Sequence, residues 1–228
     1  KKGAYGIAVC KDAVIPTINP NNPYIDLIKQ KGITRQQFYK IFITGEITTW
    51  GEVLGNKSMK PIKLFTRSDA AGAAESWAKF LGAPYKQEDL LGTGVYADPG
   101  LAQAVSKDPL ALGYNNINFV YDNVSRKPQP GLFPCPIDLN GNRIYDANEK
   151  VYATLDAIND AILSGAYPSP PARNLLLVTK GRPTNALQVA FLKWVLSDGQ
   201  KFVDQAGFVK LPDELLKKEA AALSTSQN

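Results

Sequence analysis

The residues best suited to bind an anion lie in one turn at 67–73, which reads Arg-Ser-Asp-Ala-Ala-Gly-Ala. The apolar run before it predicts a strand, and the apolar spacing after it predicts a helix that begins near residue 70. The first turn of such a helix presents unpaired backbone N–H groups and the positive end of the helix dipole. Arg67 adds planar N–H donors that suit an oxyanion. The turn therefore predicts an anion-binding corner.

An ordinary structural role explains the same residues. In that alternative Asp69 caps the helix, Arg67 pairs on the surface and the alanines pack. The lysine of a phosphate-binding loop, Gly-x-x-x-x-Gly-Lys-Ser/Thr, is not present, which disfavours nucleotide hydrolysis of that type.

A second stretch, residues 138–149, has oxygen ligands at the spacing of a twelve-residue calcium loop. Positions one, three, five, seven, nine and twelve are Asp138, Asn140, Asn142, Ile144 (through its carbonyl), Asp146 and Glu149. Arg143 stands at the sixth position, where such loops have Gly, and the segment before the loop is not helical. We predict one weakly held structural Ca²⁺, distant from the anion corner. The alternative is a polar Asx-turn loop with accidental spacing.

The chain has no histidine and two cysteines, Cys10 and Cys135. Ser-His-Asp and Cys-His catalysis and a cysteine-rich zinc site are therefore excluded. The apolar and proline neighbours of both cysteines indicate buried free thiols, with one disulfide as the alternative in an oxidising compartment.

The 228 residues allow one large or two small domains, and 44% of them are hydrophobic, as in globular proteins. A net charge of +5, spread along the chain, argues against a dedicated nucleic-acid binder. We expect neither a membrane span nor a signal peptide in this sequence.

Strands alternate with helices in the predicted element order, which indicates α/β layers with largely parallel pairing and two lobes. The strands are expected at 5–19 (one long bent strand or a strand pair), 61–67, 111–114 and, as a buried strand, 174–179. The helices are expected to start at Thr34, Thr49, about residue 70 and Pro99, to follow the stripes Val151–Ile162 and Leu187–Val195, and to include 200–206 and part of the tail from Asp213.

An ordered set of motifs resembles the phosphate-binding subunit of phosphate ABC transporters, in the type II periplasmic-binding-protein class. The motifs are Gly6-Ile-Ala-Val, Asn19-Pro-Asn-Asn-Pro23, Ile41-Phe-Ile-Thr-Gly45-Glu-Ile-Thr-Thr-Trp50, Arg67-Ser-Asp69-Ala-Ala-Gly72, Gly113-Tyr114, Asp198-Gly-Gln-Lys-Phe and Gly207-Phe. The resemblance covers nearly all of the chain except a polar insertion at 122–148.

The resemblance implies an α/β fold of two lobes joined by crossover strands. We expect lobe 1 to comprise 1–18 and 115–228, and lobe 2 to comprise 19–114. Members of the family begin with a first-lobe segment that carries a Gly-Ser/Ala-Thr turn and further ligands. No such segment stands in this sequence, so we expect the first lobe to be incomplete.

The family's second-lobe motif, Arg-x-Asp-x-Ser-Gly-Thr, carries over residue by residue. Arg67, Asp69 and Gly72 match it, whereas Ala71 and Ala73 stand where the family has hydroxyl residues. The predicted phosphate contacts are therefore Arg67, Asp69, Ala71, Gly72 and Ala73, with the alanines contributing only backbone N–H groups.

The resemblance further implies a periplasmic or cell-surface solute-binding protein that captures inorganic phosphate or a related tetrahedral oxyanion. Its partner is the membrane permease of an ABC importer. The protein is expected to act as a monomer, to require no cofactor, to bind no nucleic acid and to catalyse no reaction. Two alternatives remain. One is a ligand-free interaction or adhesion domain on the same fold, and the other is an enzyme acting on phosphate esters with Ser68 or Asp69 as nucleophile.

Overall fold

The protein divides into two compact units. The structure, a computed structural model, describes residues 3–147 and 150–224, with the side chain of Ser224 excepted. The smaller unit comprises Lys1–Asp12 and Arg173–Asn228, and the larger unit comprises Ala13–Ala172.

These units have other boundaries than the two expected lobes. The division of 1–18 with 115–228 from 19–114 stays a prediction.

The described residues form short strands and mostly short helices. The strands are β1 (Ala4–Ile18), β2 (Ile33–Thr34), β3 (Lys63–Arg67), β4 (Thr93–Val95), β5 (Ala111–Asn116), β6 (Phe133–Pro134), β7 (Ile137–Asp138) and β8 (Ala172–Lys180). The α-helices are α1 (Ile25–Lys31), α2 (Arg35–Tyr39), α3 (Trp50–Leu54), α4 (Gly72–Leu81), α5 (Ala97–Lys107), α6 (Ile117–Val120), α7 (Leu155–Ser164), α8 (Ala186–Val195) and α9 (Asp213–Ser224). A π-helical turn spans Lys40–Thr44, and 3₁₀ turns span Gln87–Asp89 and Asp198–Phe202.

The sheet of the larger unit has the strand order β4-β3-β5-β1-β6. Strand β3 is parallel to β4 and β5, whereas β1 is antiparallel to β5 and β6. The pairing is therefore mixed rather than largely parallel, because the long strand β1 enters the sheet in the opposite direction. Strands β2 and β7 form a separate parallel pair.

The predicted helix starts at Thr34 and Thr49 are confirmed, and each is stabilised by a capping box. At α2, the Thr34 side chain accepts from the Gln37 backbone N–H while the Gln37 side chain accepts from the Thr34 N–H, a reciprocal capping box. Thr49 and Glu52 make the same box at α3. The π-helical turn that continues α2 ends at Gly45, whose left-handed φ of 68° favours glycine.

An aromatic core holds the elements that position the candidate site. The Trp77 ring of α4 stacks on Tyr114 of β5 at 5.7 Å and meets Phe38 of α2 edge-on at 5.2 Å. All three side chains are fully buried. Because these rings join α4 to β5 and α2, the start of α4 is fixed against the sheet.

In the smaller unit, β8 pairs with β1, and Ile7, Leu192, Leu196 and Leu223 form a core cluster. The prediction of a buried strand at 174–179 is wrong, because Leu176 and Val178 are 54% and 63% exposed. Helix α8 forms as predicted, but much of its apolar stripe remains exposed. The sequence pattern indicated burial that the described residues of this unit do not provide.

Other expectations change in detail. Helix α7 begins at Leu155 rather than Val151, because Thr154 accepts the Ala157 N–H as its N-cap. Cys10 and Cys135 are both free thiols as predicted, but Cys10 is only half-buried, whereas Cys135 is buried. Burial, with a smaller contribution from nearby Asp12, raises the pKa of Cys10 to about 11. No helix in residues 3–147 or 150–224 is long and apolar enough to cross a membrane.

Candidate functional site

The guanidinium of Arg67 is the centre of the candidate site. Arg67 ends β3, and its side chain is only 7% exposed. Its Nε and Nη2 donate to the two carboxylate oxygens of Asp69 at 2.8 and 2.6 Å, and its Nη1 lies 2.9 Å from Asp98 Oδ1. Two carboxylates therefore hold one guanidinium in a fixed orientation.

The sheet register explains why Asp98 reaches Arg67. Strands β3 and β4 are parallel, and Arg67 lies opposite Val95. The residues that follow the two strands consequently emerge at the same edge of the sheet, where α/β proteins commonly bind ligands. The Ala97 N–H, one residue before Asp98, donates to Asp69 at 3.0 Å. Ala97 has a φ of 59°, an uncommon left-handed conformation for a residue with a Cβ.

The predicted anion-binding corner contains one positively charged side chain, Arg67, and two negatively charged ones, Asp69 and Asp98. The hydrogen bonds from Arg67 lower the pKa of Asp69 far below its ordinary range, and the Asp69 hydrogen bond raises the pKa of Arg67. One guanidinium thus faces two carboxylates. Two of its five N–H groups donate to Asp69, and its Nη1 nitrogen lies within ion-pair distance of Asp98.

The helix after the turn starts at Gly72, two residues later than predicted. Its N-cap is Ala71, which has no side-chain cap, so Asp69 orients Arg67 and does not cap the helix. The Ala71 N–H donates to the side-chain oxygen of Gln87 at 2.8 Å, and the Gln87 amide group donates to the Asp69 carbonyl. The side chain of Gln87 therefore connects the backbone of Asp69 to that of Ala71, although Gln87 itself lies outside the turn.

The five predicted contact residues all lie in this turn, but they are not equivalent. Gly72 is exposed, and the methyl group of Ala73 is buried. Gly72 and Ala73 are the first two residues of α4. The Ala71 N–H is committed to Gln87. That these residues contact phosphate stays a prediction.

Tyr114 supports the turn from below. Its hydroxyl lies 2.7 Å from Thr66 Oγ1 and accepts the Arg67 backbone N–H at 3.3 Å. Burial raises the pKa of Tyr114, so the hydroxyl stays protonated and able to donate. The backbone that bears the guanidinium is thus anchored as well as its side chain.

Sequence reasoning missed Asp98 and Gln87. Gln87 contacts Asp69 across 18 positions of sequence, and no local pattern marks such a pair. The available signal for Asp98 was its place at the start of a helix that follows a strand, where ligand-binding residues of α/β proteins gather.

The 138–149 loop closes on itself through hydrogen bonds. The buried Asp138 carboxylate accepts from the Gly141 and Arg143 N–H groups at 2.7 and 2.8 Å. The side-chain amides of Asn140 and Asn142 both donate to Asp146 Oδ2, at 2.8 and 2.7 Å. These bonds are the ones that the Asx-turn alternative expects.

Other features of this loop concern metal binding. The Ile144 N–H donates to Asn142 Oδ1 at 2.8 Å, so the seventh position turns as part of the same loop. Glu149 lies outside the described residues. Among the residues that are described, no group of three or more His, Cys, Asp or Glu side chains is gathered closely enough to hold a metal ion. Calcium binding here stays a prediction.

Comparison with known proteins places the chain in a family. The model of the PBP superfamily domain matches residues 1–199. The chain therefore belongs to the PBP superfamily.

The relatives carry the name that the resemblance suggested. The phosphate-binding protein PstS of Staphylococcus haemolyticus is 24% identical over 211 residues, which are 92% of this chain and 59% of that protein. The chain thus spans about three fifths of the length of this curated relative.

Solved structures show the fold. An ABC-type phosphate transport receptor from Vibrio cholerae has a TM-score of 0.66 at 18% identity, with 93% of this chain and 74% of that chain covered. A high-affinity periplasmic phosphate-binding protein bound with phosphate has a TM-score of 0.70 at 13% identity, with 97% and 72% covered. The prediction of a type II periplasmic-binding-protein-like α/β fold is confirmed.

Proposed function

We propose that this chain is the phosphate-binding part of an extracytoplasmic solute-binding protein that serves an ABC importer. Its ligand is inorganic phosphate or a related tetrahedral oxyanion, and its partner is the membrane permease. It works as a monomer, without catalysis and without a required cofactor. The names of the relatives and the fold shared with phosphate-binding proteins support this proposal.

The observation that carries the proposal is the nearly buried guanidinium of Arg67 beside the first turn of α4. The Arg67 N–H groups that Asp69 does not accept, the first-turn amide of Ala73 and the helix dipole suit an oxyanion. Because Asp69 and Asp98 already neutralise Arg67, we expect it to contribute directed hydrogen bonds more than net charge. Contact at the Ala71 amide requires the Gln87 side chain to move away.

Calorimetry with inorganic phosphate tests the assignment. A hydrogen bond to a charged group contributes about 1.5–3 kcal/mol, so Arg67→Ala should weaken phosphate binding by at least about tenfold. The matched control is Arg126→Ala, which breaks the Arg126–Asp156 ion pair elsewhere in the larger unit. Phosphate affinity that Arg67→Ala leaves unchanged would remove Arg67 from the site. If sulfate binds more tightly than phosphate, the proposed ligand is wrong but the proposed binding site stands.

The same experiments separate the rival classes of function. Both oxygens of Asp69 accept hydrogen bonds from Arg67, which makes this carboxylate a poor nucleophile. Turnover of a generic phosphate ester would nevertheless establish an enzyme. No detectable anion binding by the 228-residue chain would favour the ligand-free interaction domain.

We propose, secondly, that the 138–149 loop holds one structural Ca²⁺. What supports this is the left-handed φ of Arg143, 64°, at the sixth position, where calcium loops use Gly to make a sharp turn. With a dissociation constant on the order of 10⁻⁴–10⁻³ M, millimolar Ca²⁺ should raise the melting temperature by mass action. Glu149→Gln should abolish the rise and leave phosphate binding intact. A melting temperature indifferent to Ca²⁺ would return the loop to the Asx-turn alternative.

A further inference from the structure

One cavity of the larger unit shares no described lining residue with the turn at 67–73. Its volume is about 430 Å³, within the size range of small-molecule sites. The residues that line it are mostly aromatic or basic, and they include Lys29, Phe133, Pro136, Tyr145, Lys150 and Tyr152. Three of them belong to the insertion at 122–148, outside the motifs that carry the family resemblance. Phosphate binding at Arg67 therefore does not account for this cavity.

Three aromatic rings line the cavity. The rings of Tyr145 and Tyr152 lie 6.2 Å apart, and Phe133 supplies the third ring. Tyr152 is buried, and its hydroxyl accepts the Ile137 backbone N–H at 3.3 Å. The Tyr152 carbonyl accepts the Tyr121 hydroxyl at 2.9 Å, so the residue is fixed at both its backbone and its side chain. A flat apolar group suits such walls, because aromatic rings pack well against one another.

Backbone hydrogen bonds hold the walls of the cavity together. The Tyr145 N–H donates to the Gln30 carbonyl of α1 at 2.8 Å. The Pro136 carbonyl accepts the Ile33 N–H of β2 at 2.9 Å. These bonds form without any ligand, so the cavity is organised before binding, which lowers the entropic cost of binding.

Two lysines give the cavity a positive charge. Lys29 lies in the last turn of α1, and its Nζ is 5.1 Å from the centre of the Phe133 ring, within cation–π range. Among residues 3–147 and 150–224, no Asp or Glu side chain forms an ion pair with Lys29 or Lys150. The Asn140 hydrogen bond lowers the pKa of Asp146 most, and Lys150 adds a smaller contribution through its charge. Both ammonium groups can therefore attract a ligand anion.

We propose that this cavity binds a small aromatic carboxylate. Its ring packs against Tyr145 and Tyr152, and its carboxylate is attracted by the ammonium groups of Lys29 and Lys150. Other ligand classes match only part of this lining. Inorganic phosphate leaves the aromatic rings without a partner, a neutral aromatic molecule leaves the two positive charges without one, and an organic cation is repelled by them.

The probe is naphthoate, which joins a flat ring system to one carboxylate. Added to the 228-residue chain, it should bind with a dissociation constant of about 1 mM or below. In an NMR titration the backbone amide signals of Tyr145 and Tyr152 should shift most. Naphthamide, which has the same rings without the charge, should bind at least about fivefold more weakly. Acetate, which has the charge without the rings, should not bind measurably.

Substitutions separate the contribution of charge from that of the rings. The double variant Lys29→Gln with Lys150→Gln should weaken naphthoate binding at least about fivefold and leave naphthamide binding unchanged. Tyr145→Ala should weaken the binding of both compounds, by about tenfold. The matched control Lys57→Gln removes an exposed lysine of the larger unit that does not line the cavity, and it should change neither affinity. Circular dichroism confirms that each variant is folded.

Three results would overturn the proposal. The first is no binding of naphthoate at about 10 mM, and the second is equal affinity for naphthoate and naphthamide. The third is displacement of naphthoate by inorganic phosphate, with signal shifts confined to residues 67–73, which would place naphthoate at the anion corner. Phosphate affinity measured in parallel should be the same in the wild type and Tyr145→Ala. Loss of naphthoate binding alone would thus be distinguishable from failure of the phosphate site.

Discussion

Helices α4 and α8 have the same length, ten residues, and both carry an apolar stripe, yet they are packed differently. Helix α4 buries six residues, including Trp77, against the aromatic core of the larger unit. Of α8, all of which the structure describes, only Leu192 is buried, and Trp194 is 46% exposed. An apolar stripe thus shows which face requires cover, but not whether the rest of the chain covers it.

The two tryptophans provide the largest test of this difference. Trp77→Ala should cost about 3–5 kcal/mol because it leaves a cavity in a closed core. Trp194→Ala in the 228-residue chain should cost less than about 1 kcal/mol, since much of its ring already contacts water. Urea unfolding followed by circular dichroism measures both. Similar costs for the two substitutions would show that the face of α8 is already covered.

The starts of α4 and α8 are stabilised differently as well. The Arg67–Asp69 ion pair stabilises the turn before α4, whereas the side chain of Asn185 caps α8. Asp69→Asn should destabilise the chain by about 2 kcal/mol at pH 7, because Arg67 loses its bidentate partner. The folded pKa of Asp69 lies below its unfolded value of about 3.9, so its stabilisation is complete above that pH and is lost as pH falls towards the folded pKa.

The stability difference between the wild type and Asp69→Asn should therefore narrow below about pH 4. Asp156→Asn is the control. Asp156 also pairs with an arginine, but its side chain is 65% exposed, and such pairs contribute about 0–1 kcal/mol. If the difference in unfolding free energy between the wild type and Asp69→Asn stays constant from neutral pH to pH 2, the ionised Asp69–Arg67 pair is not the cause of that difference.

The cap of α8 should have a moderate effect. The Asn185 side chain accepts the Leu187 and Gln188 N–H groups. Asn185→Ala should lower stability by about 1 kcal/mol, as removal of an N-cap does. Thermal unfolding measures this change, with Asn185→Ser as the conservative variant that restores a cap.

The smallest expected effect is a gain at α4. Ala71 occupies the N-cap position without a side-chain bond, so Ala71→Ser should stabilise the helix by about 0.5–1 kcal/mol. We expect phosphate binding to be kept or strengthened, because the new hydroxyl is a further donor at the proposed site. A marked loss of phosphate affinity would indicate that the site accommodates a different or bulkier ligand.

The local features of this protein were predictable from the sequence. The boxes at Thr34 and Thr49 form because donor and acceptor lie three residues apart, so the chain need only make one helical turn. The turn at 67–73 was predictable for the same reason, since a strand end, an arginine and small residues at a helix start are neighbours in sequence. The pairing of Arg67 with Asp69 is equally local, at two positions' separation.

Only the tertiary structure decided which distant groups complete the turn and which apolar faces are covered. Asp98 reaches Arg67 because β3 and β4 are parallel in one register, and Gln87 reaches Ala71 because the chain returns along α4. The apolar patterns of 174–179 and α8 predicted burial, but burial depends on which other chain segments pack there. Hydrophobic patterning shows which face of a helix or strand is apolar and favours burial. Which segment packs on that face is decided by contacts between residues far apart in sequence.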